Sequence, residues 1–137
     1  MGIKVAITSD IRKKVNKVTK AYKNRQNRWV DATGSYFRNQ IALGMTTSPP
    51  TGRTYKRGNI EHVASSRGNP PRVDTGVLRT SIQYKRLRQG EGLVSTNVEY
   101  SERLEKTLHR YFMGKRSNAY RNAKRFGKMF AKNIGLK

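Results

Sequence analysis

The N-terminal third of the chain has the hydrophobic pattern of one long amphipathic helix, from about residue 11 to about residue 43. Ser9 and Asp10 precede the pattern, and their side-chain oxygens suit the unpaired N–H groups of a first helical turn. Apolar residues recur at steps of three, four and seven, with Arg25 as an interruption. They are Ile11, Val15, Val18, Tyr22, Trp29, Ala32, Tyr36 and Leu43.

The two halves of this predicted helix differ in how many sides are apolar. Before Arg28 nearly every position outside the stripe is cationic or an amide. After Arg28 a second stripe appears at Val30, Phe37 and Ile41, and a helix that is apolar on two sides is buried on two sides. We therefore predict a single domain in which residues 1–28 form a projecting basic helical arm and residues 29–137 form an α+β core. Gly34 is able to weaken or bend the helix near the junction.

Residues 45–76 are rich in proline and glycine, which mark loops and extended chain. Two short extended pieces are predicted near residues 54–56 and 60–64. Asp74 or Thr75 then caps a short helix that runs through Val77, Leu78 and Ile82.

A hairpin is predicted next, because two β-prone runs flank a glycine-containing turn at residues 89–92. Its apolar residues are Ile82, Tyr84, Leu87, Leu93, Val94 and Val98. Residues 100–108 form a short amphipathic helix, and Ser117 or Asn118 caps a last one. The last helix carries Tyr120, Ala123, Phe126, Phe130 and Ile134 at helical spacing. The predicted fold class is α+β, a small mostly antiparallel sheet packed with a long N-terminal helix and a C-terminal helix.

Composition favours an anionic partner over a charged surface that serves only solubility. Thirty Lys and Arg face eight Asp and Glu, a formal charge of +22, and hydrophobic residues make up only 34%. A small domain needs a charge of only about 2–8 for solubility, and a larger excess repels itself. Nucleic acid or an acidic protein surface would relieve that repulsion. The cations that we expect to contact such a partner are Arg12, Lys13, Lys14, Lys17, Lys20, Lys23 and Arg28.

Several classes of protein do not fit the sequence. The absence of cysteine excludes disulfides and thiolate metal sites. No apolar run approaches the ~20 residues that span a bilayer, so no membrane partner is expected. His62 and His109 would both be needed, with carboxylates, for a zinc site, and ordinary hydrogen-bonded or exposed histidines are expected instead. Phosphate-cradling and dinucleotide-binding motifs are missing.

Two acidic groupings have a catalytic or metal-binding alternative. Asp74-Thr75-Gly76 matches the catalytic tripeptide of aspartic proteases, which need two carboxylates that share a proton. It follows a proline-rich segment and precedes a helix, so we favour a turn and helix cap over a dimeric protease. Glu99, Glu102 and Glu105 could hold a divalent cation. In so basic a chain we expect them instead to pair with Arg103, Lys106 or neighbouring subunits. No catalytic, cofactor or metal site is predicted, and the protein is not expected to be an enzyme.

Aromatic residues stand among the basic ones, a mixture that can stack on and neutralise single-stranded nucleic acid. They are Tyr22, Trp29, Tyr55, Tyr84, Tyr111, Phe112 and Tyr120. Most occupy amphipathic positions, which favours a place in the core.

An ordered series of short motifs covers residues 53 to 134. It comprises His62-Val63-Ala64-Ser65, Gly68-Asn69-Pro70-Pro71, Asp74-Thr75-Gly76-Val77-Leu78, Ser81-Ile82, Tyr100-Ser101, Leu104-Glu105 and Arg110-Tyr111-Phe112. The series resembles the tail-completion family of long-tailed double-stranded DNA bacteriophages, also known as minor tail or head–tail joining proteins of the neck. Ser101, Lys106-Thr107 and Tyr111 depart from the family pattern, which has alanine, Phe-Gly and proline there.

The resemblance implies an α+β fold and a structural role in the virion after assembly in the host cytoplasm. It implies a homo-oligomeric, hexameric ring between the head connector or stopper and the tail terminator or tube, with double-stranded DNA passing through. The family-motif residues are Gly68, Pro70, Pro71, Asp74, Thr75, Gly76, Leu78, Ser81, Tyr100, Leu104 and Glu105. The alternative is a free, sequence-independent nucleic-acid-binding protein.

Overall fold

The computed structural model describes residues 9–136, and this part of the chain contains four helices and two antiparallel β-hairpins. In chain order the elements are α1 (Ser9–Thr47), β1 (Thr54–Arg57), β2 (Ile60–Val63), α2 (Val77–Ser81), β3 (Gln83–Arg88), β4 (Glu91–Ser95), α3 (Ser101–Lys106) and α4 (Asn118–Asn133). The α+β class is confirmed. The strands form two separate two-stranded sheets, β1–β2 and β3–β4, where the pattern predicted one small sheet.

Helix α1 is one uninterrupted element of 39 residues, longer at its C-terminal end than predicted. Ser9 and Asp10, the proposed caps, are both helical, and what precedes them lies outside the described residues. Gly34 does not break the helix. Its missing side chain makes room for the ring of Tyr84, because a Cβ there would lie 2.2 Å from Tyr84 Cε2.

Helix α4 packs antiparallel along the second half of α1. Trp29 Nε1 donates to the Gly127 carbonyl oxygen at 2.7 Å, and Asn122 Nδ2 donates to Gln40 Oε1 at 2.9 Å. Residues later in α1 therefore contact residues earlier in α4, which is the mark of an antiparallel pair. Aromatic contacts fill the seam between these points, with ring centroids 4.2 Å apart for Tyr36 and Phe126 and 6.1 Å apart for Phe37 and Tyr120.

The β3–β4 hairpin is fixed to α1 by polar contacts. Asp31 accepts hydrogen bonds from the Tyr84 hydroxyl at 2.7 Å and from Arg86 Nε at 3.0 Å. At the hairpin turn, Gly90 N donates to Asn27 Oδ1 at 3.1 Å, and Gly90 adopts a φ of 73°. The hairpin thus lies against the same half of α1 that receives α4.

The core sits where the C-terminal half of α1 meets α2 and the start of α4. Its cluster of buried residues is Ile41, Met45, Leu78, Ile82, Phe112 and Ala119. Val30 and Ile41 of the second apolar stripe are buried as predicted, but Leu43 of the first stripe is 53% exposed. Ile82 is not a strand residue. It is fully buried at the junction of α2 and β3, and Val98 follows the end of β4.

Of the two caps proposed for α4, Ser117 is correct, whereas neither Asp74 nor Thr75 is the N-cap of α2. Ser117 is the N-cap of α4 and accepts a hydrogen bond from Tyr120 N at 3.1 Å. At α2 the cap position is Gly76, which has a φ of 84°, and Thr75 Oγ1 accepts from Val77 N at 3.3 Å. Asp74 plays no capping role, since its carboxylate binds other side chains.

Candidate interaction surfaces

The first candidate surface is the N-terminal part of α1, residues 10–28, which we call the basic arm. Residues 10–20 are all exposed, and a helix of this length extends about 30 Å. Packing begins only at its inner end, where Gln26 and Asn27 contact the β3–β4 turn. The apolar side chains of the arm are uncovered, with exposures of 50% at Ile11, 56% at Val15, 69% at Val18 and 50% at Tyr22.

The arm presents two opposite faces. At about 100° per residue, Ile11, Val15 and Val18 fall within about 60° of one another and form an apolar face. Lys13, Lys17 and Lys20 occupy a similar sector on the opposite side, about 200° away. The helix geometry therefore brings three of the seven predicted contact residues onto one cationic face. Arg12, Lys14, Lys23 and Arg28 flank it.

The positive charge of the arm has no carboxylate partner within the described residues. The arm carries eight Lys and Arg and one acid, Asp10. Ion pairs in that part of the chain are Arg57–Asp74, His62–Asp74, Arg86–Asp31, Arg88–Glu91 and Lys106–Glu102. All of these pairs lie beyond residue 28, so the paired acids neutralise cations outside the arm.

The second candidate surface is built from the family-motif residues, which the fold gathers around two loops. Gly68 N donates to the His109 carbonyl oxygen at 2.8 Å, and Gly68 has a φ of 90° that suits glycine. Ser48 Oγ donates to the carbonyl oxygen of Pro70 at 2.6 Å, and Pro71 is buried. These contacts join the loop after β2 both to the end of α1 and to the segment after α3.

Glu105 organises the second of these loops. Its carboxylate accepts hydrogen bonds from the backbone N–H groups of Phe112 at 2.9 Å, Met113 at 3.2 Å and Gly114 at 2.9 Å. Three N–H groups that would otherwise need water or another acceptor are thereby satisfied. The turn places Phe112 in the core, only 2% exposed.

The remaining motif residues pack beside the same two loops, the one after β2 and the one after α3. Leu78 is buried in the core cluster, and Leu104 packs against it. Ser81 Oγ donates to the Leu78 carbonyl oxygen at 2.7 Å and shares a hydrogen bond with Thr96 Oγ1 at 2.6 Å. Tyr100 is exposed at the rim of a cavity that the motif residues surround.

Asp74 stands in a cluster of hydrogen-bond donors. Its carboxylate accepts from the Tyr55 hydroxyl and from Arg57 Nη2, each at 3.1 Å, and His62 Nδ1 lies 3.8 Å away. Burial raises the pKa of Tyr55, and the hydrogen bond to Asp74 raises it further. A proton shared between two carboxylates defines the aspartic protease site, whereas the partners of Asp74 here are a phenol, a guanidinium and an imidazole. This arrangement favours the structural interpretation of the tripeptide.

The three glutamates near α3 do not form one metal-binding face. Helix α3 begins at Ser101, so Glu99 precedes it. Glu102 pairs with Lys106 on the surface, and that hydrogen bond lowers the pKa of Glu102. Glu105 points into the loop described above. Within residues 9–136, no group of three histidine or acidic side chains is placed to hold a metal ion.

The aromatic residues divide between core and surface. Phe112 is buried, and Trp29, Tyr84, Tyr111 and Tyr120 are half-buried, as predicted. The prediction was wrong for Tyr22 and Tyr55, which are 50% and 43% exposed.

A cavity of about 550 Å³ lies between the loop after β2, α2 and the segment around α3. Motif residues from Pro71 to Leu78, together with Tyr100 and Leu104, line it. Sequence reasoning missed this cavity because its walls come from segments far apart in the chain. The one available signal was that these segments all belong to the motif series.

Comparison of the chain with models of protein families, with curated proteins and with solved structures finds no match. In the described range, 9–136, no helix has the length and apolar character needed to cross a membrane.

Proposed function

We propose that this protein is a structural tail-completion component of a long-tailed double-stranded DNA bacteriophage, which forms a homo-oligomeric, hexameric ring at the head-proximal end of the tail. In this role it helps to join tail to head and lets DNA pass. The observation that carries the proposal is the basic arm, a helical extension exposed along residues 10–20, whose cations have no carboxylate partner among residues 9–136. The motif series supports it.

The physical properties of the chain agree with a part that completes its stabilisation by assembly. The buried core cluster is small, and a ring buries further surface at a repeated interface. DNA phosphates bind cations independently of sequence, so a basic lining suits DNA in transit. The same cations could instead bind acidic faces of the connector, stopper, tail terminator or tube.

Charge reversal on the cationic face tests the proposal. We expect Lys13→Glu, Lys17→Glu and Lys20→Glu together to block particle joining while the subunit stays folded, because these side chains are exposed and unpaired by carboxylates. The readout is infectivity together with electron microscopy of particles. The matched control is Lys124→Glu, Lys128→Glu and Lys132→Glu, the same charge change on exposed positions of α4.

Unchanged infectivity of the arm variant would refute the role of the arm. Electron microscopy of the purified protein addresses the ring directly. A stable monomer that is also missing from the virion would contradict the proposed function.

The cationic face also favours a second candidate, a free nucleic-acid-binding protein. Such a protein binds duplex DNA as a monomer, and its affinity falls on the order of a thousandfold when salt rises from dilute to physiological concentration. Fluorescence anisotropy with labelled DNA at several salt concentrations distinguishes the two. Tight monomeric binding with a steep salt slope favours the second candidate, and weak binding removes it.

A further inference from the structure

The cavity beside α2 combines apolar walls with an excess of positive charge. Its apolar lining includes Met45, Pro71, Val73, Leu78, Leu104 and Leu108. Its charged lining includes three arginines, Arg72, Arg79 and Arg110, and one carboxylate, Asp74. Asp74 is already engaged by Tyr55 and by Arg57, so it does not balance the three arginines.

Each of the three guanidinium groups makes its hydrogen bond to a neutral oxygen. Arg110 Nη1 donates to Ser65 Oγ at 2.7 Å. Arg72 Nη1 donates to the Val63 carbonyl oxygen at 3.1 Å, and Arg79 Nη1 donates to Thr46 Oγ1 at 3.2 Å. None of the three belongs to an ion pair in the described part of the chain. Guanidinium groups beside apolar walls bind carboxylates strongly, through two parallel hydrogen bonds.

Arg110 gives the most specific evidence. Its Nε is buried and has no hydrogen-bond acceptor among the described residues. A buried donor that belongs to a charged group and lacks an acceptor destabilises the folded state, so such atoms are rare in native structures. Ser65, which accepts from the same guanidinium, is fully buried and lines the cavity. A ligand that supplies a hydrogen-bond acceptor would satisfy the Nε–H group of Arg110.

We infer that this cavity is a docking site for an acidic peptide segment of a partner protein, in which a carboxylate meets the arginines and a neighbouring apolar side chain meets the leucine-lined wall. A phosphate backbone would satisfy the arginines but gain nothing from the apolar wall. The cavity volume lies in the range of pockets that enclose a few side chains. The inference stands apart from the proposed function, because it needs neither a ring nor DNA.

Binding of defined probes to the full chain tests the site. The probes are a dye-labelled blocked peptide of alternating leucine and glutamate, the same peptide with glutamine in place of glutamate, and a short oligothymidylate. We expect the glutamate peptide to bind at least about tenfold more tightly than the glutamine peptide, the effect of one charge-assisted hydrogen bond.

Matched variants separate the cavity from the general positive charge. Arg79→Gln and Arg72→Gln should each weaken glutamate-peptide binding about tenfold. Arg121→Gln, on the exposed surface of α4, removes the same charge and should leave binding unchanged. An equal effect of Arg79→Gln and Arg121→Gln would overturn the inference, as would equal binding of the two peptides.

Nuclear magnetic resonance of the unmodified chain gives an independent readout that does not depend on any variant folding. The Nε–H signal of Arg110 should shift when the glutamate peptide is added and stay in place with the glutamine peptide. A shift with oligothymidylate alone would assign the cavity to nucleic acid and contradict the inference. No shift with any probe at millimolar concentration would also contradict it.

Discussion

Glu105 shows how a single carboxylate can hold a loop through the backbone alone. It accepts three N–H groups from consecutive residues that follow α3, and this turn delivers Phe112 to the core. The sequence suggested pairing with cations for this residue. In the structure its partners are backbone N–H groups. Every residue but proline has such a group, so the pattern of charges in the sequence did not reveal them.

Replacement of Glu105 by alanine should therefore destabilise the fold. We expect Glu105→Ala to lower the free energy of unfolding by about 3 kcal/mol, because three partly buried N–H groups lose a charged acceptor. Urea denaturation measures the change. Glu102→Ala is the control, since Glu102 forms only an exposed pair with Lys106 and should have little effect. Equal losses in the two variants would show that Glu105 does not anchor the loop.

Two glycines of α1 make a second comparison at the residue scale. A methyl group at Gly34 would lie 2.2 Å from the ring of Tyr84, whereas one at Gly44 would lie 3.4 Å from Pro70 Cγ, an ordinary contact. Alanine favours a helix by about 1 kcal/mol over glycine. Overpacking costs about 1–3 kcal/mol.

We therefore expect opposite signs for the two substitutions. Gly34→Ala should lower the free energy of unfolding by up to about 2 kcal/mol, and Gly44→Ala should raise it by about 0.5 kcal/mol. Chemical denaturation of both variants decides the matter. Stabilisation by Gly34→Ala would mean that the Tyr84 ring can move away without loss.

At the scale of elements, α1 serves two environments along one continuous helix. Its second half is enclosed by α4 and the β3–β4 hairpin, and its first half meets neither beyond the inner end. The hydrogen bond from the Tyr84 hydroxyl to Asp31 is one of the polar contacts between helix and hairpin. Burial and the hydrogen bond to Asp31 raise the pKa of Tyr84 to about 12.

This raised pKa predicts an alkaline loss of stability. An unfolded tyrosine has a pKa of about 10, so between about pH 10 and 12 the folded chain retains a proton at Tyr84 that the unfolded chain releases. The free energy of unfolding must fall as the pH rises through that window. At neutral pH, Tyr84→Phe should cost about 1 kcal/mol through the lost hydrogen bond.

The difference between the parent and Tyr84→Phe should shrink as the pH approaches 12. Urea denaturation at a series of pH values measures it, and Tyr22→Phe on the exposed arm serves as the control that should follow the parent curve. A constant difference across the alkaline range would show that Tyr84 does not couple folding to protons.

At the scale of the whole molecule, the uncompensated positive charge is the main property that we expect to limit stability. The formal charge of +22 is spread over a chain with a small buried core. Repulsion among like charges destabilises the folded state, and salt screens it with a Debye length of about 10 Å at 0.1 M. The isolated subunit is thus expected to gain stability from any anionic surroundings.

Salt should accordingly stabilise the isolated chain. We expect the free energy of unfolding in urea to rise with sodium chloride concentration. The rise should be smaller in the triple arm variant, whose formal charge is +16 (three Lys→Glu changes take 6 from +22). A fall in stability with added salt would show that attractive ion pairs outweigh the repulsion.

The sequence by itself determined the long N-terminal helix, the second apolar stripe and the start of the last helix at Ser117 or Asn118. Each depends on residues close together in the chain, where periodicity and capping chemistry act directly. Val30 and Ile41 are buried for that reason. The motif series also marked Gly68, Asp74 and Glu105 without revealing what they bind.

Only the tertiary structure decided which distant groups meet. Contacts between remote segments decide four features of the structure. They are the exposure of Leu43, the separation of the strands into two hairpins, the Tyr84 ring over Gly34 and the arginine-lined cavity. Such contacts depend on how whole helices and hairpins pack together. Local propensity and charge pattern do not show which distant residue a side chain will contact.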